Sequence, residues 1–456
     1  MKYLYIVVCT FTFIAIESIA ADSLEDISKT ILKKHPEILS LESELISRKS
    51  DSVHKSTYPD PKIGIAYRSY PYSKDGRFEN SSTRNTSMAG IEYSFSQEIP
   101  FPGKISSERT LGNLTAIEFE HYTKMQKNRF LKDFYILLLK LHITENKIKW
   151  NSSILNTLVS IEKVAKANYS AGKIPYIDVV KNKINITITK DKEIELNQTK
   201  NSIVASLKYY TDPIGEKTDR ITQINFLNFL KEKKNKIELE NLQSVKKFLK
   251  KNPVLLFSEA SIQKSKAEEK VTQFSHLPET EVFFAYMKRK DQKFAVDQGP
   301  LEYRIMDQTE YRGDLMSFGL TMRVPVWSLL TRSALNEREE EKVKMSVSET
   351  KKREIELETN FTNFISQYQG ADKQLKLHDE ILIPQLQQAQ IAQNTSLGKI
   401  SDISGSLQLK MDLYNSHLTR EDLLEKKYTS LISIFELTDY LLPENSPTHN
   451  HNGEHQ

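Results

Sequence analysis

One heptapeptide pattern occurs twice in this chain, half its length apart. Asn168 to Ile174 reads N-Y-S-A-G-K-I and Asn394 to Ile400 reads N-T-S-L-G-K-I. Gly398 follows Gly172 by 226 residues (398 − 172) in a sequence of 456. In each copy a long stretch with apolar residues at helical spacing runs into the glycine, and another runs out of it. Glycine at such a junction supplies the left-handed backbone that ends a helix and lets the chain reverse. Two long helical hairpins with related tips are therefore expected, and the repeating unit is the whole half-chain.

The pairing extends beyond the tips. His35-Pro36-Glu37-Ile38 matches Asn252-Pro253-Val254-Leu255, and Tyr58-Pro59-Asp60-Pro61 has its counterpart in His276-Leu277-Pro278. Ser96-Gln97-Glu98-Ile99-Pro100 corresponds to Thr321-Met322-Arg323-Val324-Pro325. Order is kept while the offset drifts, as small insertions would produce. Within each half the apolar period changes once, from helical to two. Ile63, Ile65 and Tyr67 alternate with Lys62, Gly64 and Ala66, and Ile91, Tyr93 and Phe95 alternate with Gly90, Glu92 and Ser94. The second half repeats this with Val282, Phe284 and Tyr286, then Met316, Phe318, Leu320, Met322 and Val324. Tyr70 to Thr86 and Lys288 to Gly313 are polar and read as loops. The strands match the length of membrane-barrel strands, about 9–11 residues. A soluble sheet gives the same alternation, so the choice rests on the rest of the chain.

The start of the chain supplies one argument. Residues 1–21 read as a signal peptide, with Lys2, an apolar core from Tyr3 to Ile16 and small residues at Ser18-Ile19-Ala20. The single cysteine, Cys9, lies in that core, so the mature chain holds no disulfide. No later run of about 18 apolar residues follows, and any membrane span is made of strands. Four strands do not close a barrel, for which about eight is the practical minimum. Open edges in lipid cost several kcal/mol per unpaired backbone group. Either the strands lie outside a membrane, or several chains share one barrel; three chains of four strands would make twelve.

Long helices account for most of the remainder. From Ile105 to Tyr169 there is no proline and only one glycine, Gly112. At about 1.5 Å per residue this is roughly 100 Å of helix. Phe134, Leu137, Leu141, Ile148, Leu155, Leu158 and Ala165 form one apolar seam, interrupted by Thr144 and Asn151. Leu139, Ile143, Trp150, Ile154, Ile161 and Val164 form a second. One seam serves a helix pair; two serve a helix with neighbours on both sides, as a barrel stave requires. A return helix is expected over Tyr176 to Tyr210, another over Leu330 to Ser396 with a break at Pro384, and a last one over Ser401 to Leu442.

The organisation is thus a signal peptide (1–21), N-terminal helices (22–57), a first β-hairpin (58–99) and a first long helical hairpin (100–210). An insertion (211–250), a second-repeat helix (251–277), a second β-hairpin (278–325), a second long helical hairpin (326–442) and a disordered tail (443–456) follow. The fold class is mostly α with a membrane β part. Formal charge is +4 from 64 basic and 60 acidic residues, finely interspersed, which argues against a nucleic-acid partner. There is no phosphate loop, nucleophile elbow, HExxH or cysteine ligand set, so neither enzyme chemistry nor a cofactor is expected. Glu145, Glu162 and Asp133 lie at spacings that suit solvation or ion pairing. His449, His451 and His455 in the tail are weak candidates for a transition metal, against a plain solvated tail.

Tyr169-x-x-Gly172-x-x-x-x-x-Asp178-Val179 resembles the periplasmic hairpin tip of the TolC-type outer-membrane efflux family, the outer-membrane factors of tripartite pumps. The run from Ser96 to Lys104, with Pro59-Asp60-Pro61 upstream, is similar to its heavy-metal cation (CzcC-type) branch. The resemblance implies a homotrimer with a shared 12-stranded β-barrel in outer-membrane lipid, continued by an α-barrel in the periplasm, with 211–250 at its equator. It implies docking of a periplasmic adaptor (membrane fusion) protein on Gly172, Lys173, Gly398 and Lys399, and an inner-membrane pump of the RND type. The chain would pass substrate, heavy-metal cations among them, to the exterior. A conduit for type I protein secretion uses the same fold, whereas a soluble periplasmic coiled coil would lack the strands. Family members carry acidic rings after the second tip; the matching positions are Ser404 and Leu407, with Asp402 beside them. Asp178, Asp402 and Ser404 are expected at a periplasmic gate, unless Asp178 simply caps its helix.

Overall fold

The computed structural model describes residues 24–69, 90–215, 226–235, 249–289, 292–296, 306–396 and 403–442. The leader, the second tip with Gly398, Lys399 and Asp402, and the tail histidines lie outside these ranges. The first half contains α1 (Leu24–Lys34), α2 (Pro36–His54), β1 (Lys62–Arg68), β2 (Gly90–Ile99), α3 (Lys104–Ser170), α4 (Tyr176–Thr211) and α5 (Phe226–Asn235). The second contains α6 (Pro253–Phe274), β3 (Glu279–Arg289), β4 (Gln292–Val296), β5 (Met306–Glu310) and β6 (Leu315–Arg323). It ends with α7 (Val326–Leu330), α8 (Arg332–Leu377), α9 (Ile383–Ser396) and α10 (Ile403–Leu437). The two halves repeat the order helix, strands, two long helices. The fold is mostly helical, with one four-stranded antiparallel sheet in the order β1-β2-β3-β6.

The chain divides into two compact units. One comprises the described parts of residues 1–42, 124–252 and 356–456. Its core is built on Ile31, Ile38, Leu131, Phe134, Leu139, Leu207, Leu230 and Phe435, all fully buried. Two proline starts organise it. Pro36 opens α2 at the position where its missing N–H costs nothing. His35 caps that helix, its Nδ1 accepting the Glu37 N–H at 3.3 Å, which leaves Nε2 to donate to the Tyr209 carbonyl at 2.9 Å. Asn252 stands before Pro253 in the second half, and its Nδ2 donates to the Leu437 carbonyl at 2.8 Å. In both halves, then, the residue ahead of the proline ties down the end of the return helix. The duplication is a repeat of bonds as well as of letters.

The helical hairpins follow the apolar seams. Ile154, Leu158, Ile186, Leu407 and Tyr414 form one buried cluster, and Ala165, Ile174 and Val179 another beside the first tip. Val164 of the second seam stays exposed. Glu162 pairs with Lys166 one turn on, as its spacing anticipates, whereas Glu145 pairs across helices with Lys200. The break expected at Pro384 is a π turn over His378–Leu382, just ahead of the proline. Pro384 cannot donate to Glu380 and its ring crowds that carbonyl; the chain widens instead, and the Ile383 N–H reaches back to His378.

The second unit comprises the described parts of residues 43–123 and 253–355 and holds the sheet. Here α2 and α3 cross closely at Gly112. A Cβ there would lie 2.6 Å from the Ser52 Cβ, which explains the one glycine in a 67-residue helix. The segment Lys288 to Gly313 departs from its reading as a loop. It carries β4 and β5, and Gln292 opposite Glu310 keeps the register of Met287 opposite Leu315. Each of these strands is only five residues long, too short for Phe294 and Val296 to mark an alternation, although a ladder needs only backbone partners.

Candidate functional site

Strand register assembles the sheet into two unlike faces. On one, Ile63, Phe95, Phe284 and Phe318 stand in a row across all four strands, and Ile65, Tyr93, Tyr286 and Met316 form the next. On the other, Gly64, Ser94, Ala285 and Ser317 form a row of small residues. The apolar rows are uncovered: Ile63 is 79% and Phe318 86% exposed. A soluble sheet buries that face, at about 25 cal/mol per Å². The opposite face carries Glu281, which accepts from Ser96 Oγ at 2.6 Å and pairs with Lys62 at 3.4 Å. Phe283 lies over Gly319, where a Cβ would meet its ring at 2.6 Å. Among the described residues β1 and β6 each have one neighbour, so the described sheet has two open edges.

The first tip is a backbone device. Gly172 sits at φ +70°. Its N–H donates to Tyr169 at 2.9 Å, and the Lys173 N–H donates to Asn168 at 2.9 Å. This pair of bonds closes the last turn of α3 with a Schellman motif. Ile174 then folds back onto Ala165 and Val179, while Lys173 remains exposed. Asp178 lies in the first turn of α4, where the helix dipole favours a carboxylate. It does not cap the helix: the cap position is Pro175, which makes no side-chain bond. Ser404 is half-buried near the start of α10, and Leu407 is core, packed with Ile154 and Leu158.

Polar groups inside the hairpins tie helices to one another. Asn151 donates to the Thr189 carbonyl at 3.1 Å and accepts from the Tyr414 hydroxyl at 2.6 Å. Burial pushes that hydroxyl up to about 12. Asn182 donates to the Leu158 carbonyl at 3.0 Å. Trp150 stacks on His417, ring centroids 3.8 Å apart. Burial first, and then the Arg420 charge, lower the His417 pKa. The interruption at Asn151 was visible in the seam; the roles of Asn182 and His417 require knowing which helices pair. Among the described residues no cluster of His, Cys, Asp and Glu could hold a metal ion.

Comparison with solved structures gives this architecture a setting. The chain is similar to CusC, whose crystal structures concern folding and transmembrane channel formation, with a TM-score of 0.68 and 10% identity over 90% of this chain and 91% of that one. It is similar to the outer membrane protein VceC of Vibrio cholerae, with a TM-score of 0.67 and 11% identity over 92% and 96%. The open-state MtrE outer membrane channel of Neisseria gonorrhoeae gives a TM-score of 0.69 and 10% identity over 93% and 91%. The chain has the outer-membrane channel fold. No protein-family profile and no curated protein matches it by sequence.

Proposed function

We propose that this chain is one subunit of a trimeric outer-membrane conduit in a tripartite efflux system. The observation that carries the reading is the four-stranded sheet with an uncovered apolar face and two open edges. Lipid covers such a face, and lipid tolerates strands only when no edge is left open. Edge-to-edge union of β1 with β6 of the next copy satisfies both demands, and three copies give twelve strands. The long helices continue the conduit into the periplasm. The chain performs no chemistry; an inner-membrane pump of the RND type supplies the energy. The adaptor docks on the tips at Gly172, Lys173, Gly398 and Lys399. Asp178 and Asp402, with Ser404, line the narrow periplasmic end. The Ser96–Lys104 segment supports heavy-metal cations as cargo.

Paired cysteines test the ring. The leader carries the only native cysteine, so Ala66→Cys on β1 and Ser317→Cys on β6 introduce the only thiols of the processed chain. A bifunctional maleimide is expected to link outer-membrane protein into dimers and trimers and nothing larger. Monomers only, or protein that carbonate washes from the membrane, would refute the conduit.

A further inference from the structure

The two strand pairs leave the sheet differently. After β2, Phe101 packs near Phe274 with ring centroids 6.5 Å apart, and Gly103 at φ +96° turns the chain directly into α3. After β6 the chain instead forms α7, a single turn held by the Leu329 N–H donating to the Pro325 carbonyl at 3.2 Å. Nothing in its own unit covers this turn. Trp327 is 82% and Leu330 72% exposed, and Val326 and Leu329 are exposed as well. The patch continues the uncovered face of β6, through Met316, Phe318, Leu320, Met322 and Val324. A cation follows it: Arg332, just past the turn, is exposed.

We propose that α7 is a lipid anchor. Trp327 sits at the headgroup level of the leaflet on the helical side of the sheet, with Leu329 and Leu330 reaching toward the acyl chains. This inference rests on the conduit reading and adds its depth marker. Continuity with the apolar wall places the turn where that wall ends. An indole has an apolar body and one N–H donor, which suits the boundary between chains and headgroups. Arg332 matches the anionic phosphates found at that level. The anchor occurs once per chain, because the first half spends the equivalent position on Phe101 and the turn at Gly103.

Fluorescence can read the depth, since the chain has two tryptophans, Trp150 and Trp327. Trp150→Phe protein is reconstituted whole into phosphatidylethanolamine–phosphatidylglycerol vesicles with brominated chains. Bromines near the headgroup should quench Trp327 more than bromines at the chain end, and aqueous iodide should have little effect. Strong iodide quenching without lipid quenching would place Trp327 in water. Quenching by neither would place it under a neighbouring copy; both results overturn the anchor. If Trp150→Phe fails to fold, Trp327→Phe in the native background should abolish the lipid-quenched part of the emission, and persistence of that part overturns the proposal. A second reporter, Phe318→Trp in the chain lacking both native tryptophans, separates the two readings. Quenched by chain-end bromines while Trp327 is not, it retires the anchor alone; left unquenched by any lipid, it retires the membrane wall with it.

Discussion

Asn151 and Asn182 are fully buried on a helix pair whose interior is mostly apolar, and each spends its amide on a carbonyl of the opposite helix. A buried amide matched to one carbonyl favours one register over sliding alternatives, much as a polar residue does in a coiled-coil seam. The bond from Tyr414 to Asn151 adds a third helix to the same point. Removing one partner strands the other. Asn151→Leu and Tyr414→Phe should therefore each destabilise by about 1–3 kcal/mol. Together they should cost less than their sum, with a coupling of about 0.5–3 kcal/mol. Thermal unfolding followed by circular dichroism measures the cycle, and strict additivity would show that the bond contributes nothing. At this scale the sequence was half legible. A break in an apolar seam announces a buried polar residue, whereas its partner emerges only once the pairing of helices is known.

Among the elements, the long helices and main strands were the most legible, because each repeats one period for many residues. The turn at Gly172 was legible for a different reason: few residues adopt its backbone. No atom lies within 4 Å of a Cβ built there, so substitution strains only the main chain. Gly172→Val should cost about 1–2 kcal/mol. Gly172→Asn should cost less, since asparagine visits the left-handed region more readily. If the tips receive the adaptor, the valine variant should assemble normally yet lose efflux in a drug- or metal-accumulation assay, with asparagine retaining most of it. Efflux by the valine variant at the native level would remove the tip from the docking surface. The elements that escaped the sequence are short or polar. The strands β4 and β5 are five residues each, the π turn is a local answer to Pro384, and α7 is one turn long.

Across the whole chain, duplication is the organising fact. His35 and Asn252 differ in side-chain chemistry, yet each bonds the end of its own return helix. Architecture is thus preserved where residue identity is not, in keeping with a fold shared at 10% identity with MtrE and CusC. Strands and hairpins were legible because both follow from periodicity; the cargo of the proposed conduit was not, because faces of mixed polar residues carry no such period. The carboxylates proposed for the narrow end give one handle on it. In planar bilayers, Asp178→Asn with Asp402→Asn should reduce preference for cations over anions. Unchanged selectivity would exclude both residues from the constriction. The continuous register from β3–β6 into β4–β5 has a last consequence, for insertions and deletions. Lengthening both strands together preserves the pairing, and an even step on one of them preserves which face of the sheet each side chain takes. An odd step reverses every residue beyond it, so this hairpin can grow or shrink freely only by parity-conserving steps.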